Sequence, residues 1–127
     1  MISKVKELNR ELKSLHRWFL ELERLEAEKT LGKKITPIDF LHLLTGDPDF
    51  EWLRPFSALL ANMDEFMDES ESITHEDGLR LANEVSGVLH ENESKLKAKY
   101  TYYLFNDGEF ILLHGKLKAA LKALIKK

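Results

Sequence analysis

The chain of 127 residues contains no cysteine, only three prolines and only six glycines. Without cysteine it can form no disulfide bond, no thiolate metal site and no thiol nucleophile. Neither a G-x-G-x-x-G nor a G-x-x-x-x-G-K-[ST] pattern occurs, so a phosphate-binding loop is not expected. The G-x-S-x-G and H-E-x-x-H motifs are missing as well. We therefore predict no catalytic residue and no bound cofactor, and we expect a non-enzymatic protein.

Long hydrophobic runs are also missing. The N-terminal residues contain no apolar segment followed by a small-residue cleavage site, so we predict no signal peptide. No apolar run approaches the roughly 20 residues that a bilayer-spanning helix needs. Hydrophobic residues at 43% and charged residues at 32% are typical of a globular protein. We expect a cytoplasmic protein with a single helical domain over residues 1–127.

The strongest pattern in the chain is an apolar stripe between Ser3 and Leu31. Apolar residues recur there at intervals of three or four, which predicts a helix about 40 Å long that ends at Gly32. The stripe consists of Val5, Leu8, Leu12, Leu15, Phe19 and Leu22. Because it is wide, we expect it to serve both a core and a homodimer contact, with Leu12 and Phe19 as interaction residues.

Capping residues mark the next helices. Thr36 followed by Pro37 and Asp39 is a typical helix start, because the threonine accepts a backbone hydrogen bond and proline fits the first turn. Two further prolines divide the region near residues 46–55 into a short Pro-punctuated helical segment. Thr74 opens another helix. These signals predict an all-α bundle of four to five main helices.

Residues 99–113 are compatible with two structures. The aromatic run before the Asn106-Asp107-Gly108 turn could form one strand of a β-hairpin, which would make the fold α+β. However, neither candidate strand alternates apolar and polar residues. From Phe110 onward the helical spacing also continues to the lysine-rich end. We therefore predict two helices, with Asp107 as the N-cap of the second.

The run from Thr36 to Pro55, T-P-I-D-F-L-H-L-L-T-G-D-P-D-F-E-W-L-R-P, resembles a pattern in small bacterial helical-bundle proteins that have no assigned activity. It covers about a sixth of the chain. The resemblance implies an all-helical fold and carries over no functional residue.

The histidines offer one alternative function. Helical bundles can hold metal ions between facing helices, often through Glu-x-x-His pairs, but this chain has no such pair. A neutral imidazole is nevertheless the commonest metal ligand. His16, His90 and His114 are therefore the candidates for a hemerythrin-like or di-metal bundle. A histidine at the edge of an apolar stripe is more often a hydrogen-bonded structural residue.

Charge is distributed unevenly along the chain, with basic termini and an acidic middle. The C-terminal segment combines apolar residues with lysines, including Lys126 and Lys127. Such a basic amphipathic helix is most often an ordinary bundle helix with a charged face, but it can also bind a membrane surface, an acidic protein groove or phosphate backbones. We take Lys118 and Lys122 as its interaction residues. The segment contains no arginine, which is the preferred residue for bidentate phosphate contacts, so we expect neither nucleic acid nor a membrane as partner.

The leading hypothesis is a non-enzymatic protein-interaction or regulatory module, and the metal-binding bundle is the alternative. A third hypothesis is a protein that binds a small apolar ligand in a pocket lined by aromatic residues. The candidates for that lining are Trp18, Phe19, Trp52, Phe56, Tyr100, Tyr103 and Phe110.

Overall fold

A computed structural model describes residues 1–125, which are mostly helical and contain no strand. In chain order the elements are α1 (Ile2–Leu31), α2 (Pro37–Gly46), a 3-10 helix (Pro48–Leu53), α3 (Arg54–Glu69), α4 (His75–Ser86), a π-helical turn (Gly87–Glu91), α5 (Lys95–Asn106) and α6 (Gly108–Ile125). The all-α prediction is confirmed. The alternative of a hairpin at residues 99–113 is wrong, because α5 and α6 occupy them. Lys126 and Lys127 lie outside the described residues.

Local capping explains where several helices begin. The Thr36 side chain accepts a hydrogen bond from the Asp39 N–H at the start of α2. Thr74 and Asp77 exchange side-chain and backbone hydrogen bonds at the start of α4, which forms a capping box. The Asp107 carboxylate accepts a hydrogen bond from the backbone N–H of Phe110 and so caps α6. Within residues 1–125, no helix has the length and apolarity needed to cross a bilayer.

The core is one cluster of buried side chains with α1 at its centre. The longest shared interface is between α1 and α6, and α3 packs on another side of α1. Phe19 lies in the middle of this cluster, with its ring centroid 5.5 Å from Phe110, 5.7 Å from Trp52 and 6.2 Å from Phe56. Edge-to-face contacts of this kind add to the stabilisation that burial provides.

This core requires a correction to the proposed dimer residues. Leu12 and Phe19 are both 0% exposed, because α3, α5 and α6 cover the α1 stripe within the same subunit. Neither side chain is available to a second copy in this fold. A homodimer through other residues of α1 stays a prediction.

The crossing of α4 and α6 is tight at Gly78. A Cβ atom at this position would lie 2.9 Å from Met1 Sδ and 3.2 Å from Leu124 Cδ2. Close packing therefore accounts for a residue that costs up to about 1 kcal/mol in a helix interior. Gly87 is different, because its nearest neighbour would be Asn92 Nδ2 at 3.9 Å. It begins the π-helical turn.

Candidate functional site

Two of the three candidate metal-binding histidines meet at one junction of helices. His90 on the π-helical turn, Tyr100 on α5 and His114 on α6 are in mutual contact. Tyr100 Oη lies 2.7 Å from His114 Nδ1. The His90 ring centroid is 4.7 Å from that of Tyr100 and 5.7 Å from that of His114. We call these three residues the His–Tyr cluster.

Burial determines the protonation of the His–Tyr cluster. It raises the pKa of Tyr100, so the phenol stays protonated and donates its O–H to His114 Nδ1. The remaining proton of a neutral His114 is then on Nε2. Burial also lowers the pKa of His114, and Lys118 acts in the same direction. For His90, burial and then the neighbouring His114 lower the pKa, while Glu91 opposes them.

The His–Tyr cluster offers too few ligands for a bound metal. His90 Nε2 is buried and has no hydrogen-bond partner among the described residues. Within residues 1–125, no three or more His, Asp or Glu side chains are grouped to hold a metal ion. His16 contacts α3 instead, with Nε2 at 2.8 Å from Ser57 Oγ and its ring 5.0 Å from Phe56. Burial lowers its pKa as well.

A surface groove of about 570 Å³ lies between α1 and the beginning of α6, and we call it the α1–α6 groove. Its lining combines apolar residues, which we call the floor, with polar and mainly acidic residues, which we call the edges. The floor consists of Trp18, Leu22, Leu25 and Leu113, and the edges of Ser14, Arg17, Glu21, Asp107 and Glu109. The lining residues of α1 recur at intervals of three and four, so one face of the helix borders the groove.

Aromatic packing holds the floor of the groove in place. The Trp18 ring stands edge-on to Tyr103 and to Phe110, with 4.9 Å between centroids in both cases. Beyond it the floor is open, because Leu25 is 44% exposed. The sequence indicates that α1 has apolar surface here, because Trp18 and Leu25 widen its apolar stripe. Which part of the widened stripe stays uncovered depends on how α6 crosses α1.

Exposed apolar side chains occur near the α5–α6 connection, on the two helices that flank Asp107. Phe105 is 78% exposed and Leu112 is 70% exposed. Tyr102, which is 60% exposed, contacts Tyr103 with 5.1 Å between ring centroids. Sequence reasoning missed these residues as a surface, because a run of aromatic and aliphatic residues is equally typical of a core. Large exposed apolar patches mark interaction surfaces more often than chance.

Three carboxylates and one guanidinium, that of Arg17, border the α1–α6 groove. The Asp107 carboxylate is fixed by its cap of α6. Glu21 forms an ion pair with Arg24, whose hydrogen bond lowers the pKa of that carboxyl. The groove therefore presents excess negative charge around an apolar floor.

The predicted basic residues Lys118 and Lys122 are exposed on α6. No ion pair involves either lysine in the part of the chain that the structure describes. Their role as interaction residues stays a prediction. Of the seven aromatic residues predicted to line a pocket, only Trp18 borders the α1–α6 groove. Most of the others pack around Phe19.

The chain matches no protein-family model, no curated protein and no solved structure.

Proposed function

We propose that this chain is a non-enzymatic, cytoplasmic protein-interaction module that binds a partner protein in the α1–α6 groove. The observation that carries the proposal is the apolar floor, which continues the core stripe of α1 beyond the region that the other helices cover. Leu25 is 44% exposed there beside the half-buried Trp18. A partner side chain on this floor would release water from apolar surface, which drives most protein association.

The metal-binding alternative has less support. Two imidazoles and one phenol converge in the His–Tyr cluster, and the phenol already occupies one nitrogen of His114. A structural zinc site takes four ligands and a catalytic one usually three from the protein. The cluster is better explained as a packed polar contact between three helices.

Site-specific photocrosslinking tests the proposed function. A benzophenone amino acid replaces Leu25 in the groove, and in a matched control it replaces Leu41, a leucine of α2 that is 57% exposed. Both variants are irradiated in the native cells, and the products are identified by mass spectrometry. We expect a defined protein adduct from position 25 that position 41 does not give. Identical products at both positions, or none at position 25, would refute the proposal.

A further inference from the structure

The α1–α6 groove has the dimensions of a helix-binding site. Its α1 side runs from Ser14 to Leu25, which is three helical turns or about 16 Å. Its other side is the first turns of α6. Two neighbouring helices with an open furrow between them can accept the ridge of a third helix. No strand occurs within residues 1–125, so a partner has no sheet edge to extend there, and an apolar groove between two helices suits helix-in-groove binding.

The charges beside the floor favour a partner helix with a positive charge. Glu21 lies on the α1 side, while Asp107 and Glu109 lie at the beginning of α6. Glu21 is paired with Arg24, so the carboxylates without a described cation beside them are those of Asp107 and Glu109, and among the described residues Arg17 is the one cation in the lining itself. An apolar ridge flanked by lysine or arginine would satisfy both the floor and the edges. Charge complementarity of this kind speeds association and excludes partners of the wrong sign.

The opposite flank of α1 has the same charge. A smaller groove of about 230 Å³ separates the end of α1 from α2 and the 3-10 helix. Among residues 1–125, no lysine or arginine lines this smaller groove. Four carboxylates do, those of Glu23, Glu26, Asp47 and Asp49. Glu23 is paired with Lys99 and Glu26 with Lys29, so the excess negative charge of this smaller groove comes from Asp47 and Asp49.

The same charges argue against a second copy as the occupant. In a two-fold symmetric dimer the same patch meets itself, so the carboxylates of one groove would face those of the other. The exposed lysines of α6 in a second copy could reach the groove only if the two-fold axis lay beside the groove, or in a head-to-tail contact, which closes into rings or extends into filaments.

We propose that the occupant of the α1–α6 groove is a cationic amphipathic helix of a partner protein. This inference rests on the proposed function, because it names the partner of that groove. The helix presents leucine-like side chains at intervals of three and four to Trp18 and Leu25. Its lysine or arginine side chains flank this ridge and meet Asp107 and Glu109.

Fluorescence titration of the whole chain tests this inference. The chain has two tryptophans, so Trp52→Phe leaves Trp18 in the groove as the only one. The probes are three synthetic 18-residue peptides. The first is an amphipathic Leu/Lys helix, the second has Glu in place of Lys, and the third is a scrambled Leu/Lys sequence without an apolar face. We expect the first to shift Trp18 emission and to bind at least tenfold more tightly than the other two, with affinity falling as salt is raised.

Matched charge variants locate the binding. Asp107→Asn with Glu109→Gln removes two groove carboxylates that form no ion pair among the described residues, keeps a capping side chain at position 107, and should weaken the Leu/Lys peptide about tenfold. Glu65→Gln with Glu69→Gln removes two exposed carboxylates of α3 and gives the same net charge, so the affinity should not change. Equal weakening in both double variants would reveal non-specific charge attraction and overturn the inference. Circular dichroism of each variant establishes that it is folded. Leu25→Asp, which alters the floor and leaves the edge carboxylates in place, is a second test with the same expected loss.

The outcomes separate this inference from the proposed function. A crosslinked partner at position 25 combined with no binding of the Leu/Lys peptide would leave an interaction module whose partner is not a cationic helix. Crosslinks between two copies of this chain would identify a second copy as the occupant and overturn the inference. Equal binding of the Glu and Lys peptides would also overturn it, since the edges would then select no charge.

Discussion

The two halves of α1 have the same apolar spacing and different surroundings. Through Phe19, the stripe is fully enclosed by α3, α5 and α6. After Phe19, α1 contains no fully buried residue, and Leu25 is 44% exposed. The same periodic pattern therefore contributes a core in one half and a surface in the other. An apolar period indicates that a segment is helical and amphipathic, but it does not say which part of the stripe another helix will cover.

Polar contacts attach the second half of α1, where fewer apolar side chains cover the helix. Glu23 Oε1 accepts a hydrogen bond at 3.0 Å from Lys99, whose Nζ also lies 4.5 Å from the centroid of the Trp52 ring. One turn later, Glu28 Oε2 accepts the backbone N–H of Ile35 at 2.7 Å. The second half of α1 is thus attached at its edges by a few charged side chains and by the partly buried Leu20 and Ala27, and its apolar face is exposed at Leu25.

The largest expected effect comes from the covered half. Phe19→Ala should lower the free energy of unfolding by about 3–5 kcal/mol, because it removes a fully buried ring and leaves a cavity. Urea unfolding followed by circular dichroism measures the change. A loss below about 1 kcal/mol would mean that the rings around Phe19 collapse into the space, and the contrast between the two halves would disappear.

The polar attachment of the second half should give a smaller effect. Glu28→Ala removes the carboxylate that holds the Ile35 N–H, and we expect a loss of about 1.5–3 kcal/mol, the range for hydrogen bonds to charged groups. The matched control is Glu26→Ala, whose exposed carboxylate pairs with Lys29 at 3.6 Å. An exposed pair of this kind contributes up to about 1 kcal/mol. Equal losses in the two variants, again by urea unfolding, would contradict a specific role for Glu28.

Acid should act on the covered half through the His–Tyr cluster, since Tyr100 contacts Phe19 with 6.4 Å between ring centroids. The folded-state pKa values of His90 and His114 lie below the usual value of about 6.5. The unfolded chain therefore binds protons first as the pH falls. The histidine contribution to the free energy of unfolding is fully present above about pH 6.5 and decreases below it.

Thermal unfolding at pH 7.5, 6.5 and 5.5 measures this dependence. We expect the melting temperature to fall across the series and the fall to be shallower in His90→Gln. The carboxyl groups with lowered pKa, including those of Glu21 and Asp77, titrate at lower pH and leave this window to the histidines. An unchanged pH dependence in His90→Gln would show that His90 is not the group that protonates on unfolding.

The smallest expected effect is at the open floor. Leu25→Ala should lower the free energy of unfolding by about 1 kcal/mol or less, because the side chain is already 44% exposed and alanine favours a helix. Comparison of its urea midpoint with that of Phe19→Ala completes the contrast between the two halves. A loss of about 2 kcal/mol or more, on the order of a buried leucine, would place Leu25 in the core and remove the basis for the α1–α6 groove.

Much of the fold could be predicted because its signals are local. The caps at Thr36, Thr74 and Asp107 involve residues within three positions of each other, and all three form as the sequence indicates. The period of α1 is likewise a property of one segment. The end of α1 at Gly32, with φ at 71°, follows from the tolerance of glycine for the left-handed region.

The candidate site could be predicted only in part, because it depends on contacts between distant segments. His90 and His114 are both visible as candidates in the sequence, but their meeting requires the packing of α4, α5 and α6. His16 looks equivalent in sequence and lies instead against α3. The α1–α6 groove depends on the crossing of two helices that are far apart in the chain. Capping and periodicity carry no information about that crossing.

The π-helical turn at Gly87–Glu91 contains one residue more than an α-helical turn over the same distance. The Asn92 N–H bonds to the carbonyl of Gly87, five residues back, at 2.8 Å, so the turn holds one residue more than an α-helix needs. Deleting a single residue there should restore ordinary helical hydrogen bonding and rotate the end of the helix, at Asn92, by about 100° relative to α4. The contact between His90 and Tyr100 therefore depends on the length of this turn, so the insertion or deletion of one codon there would change it while every other residue stayed the same.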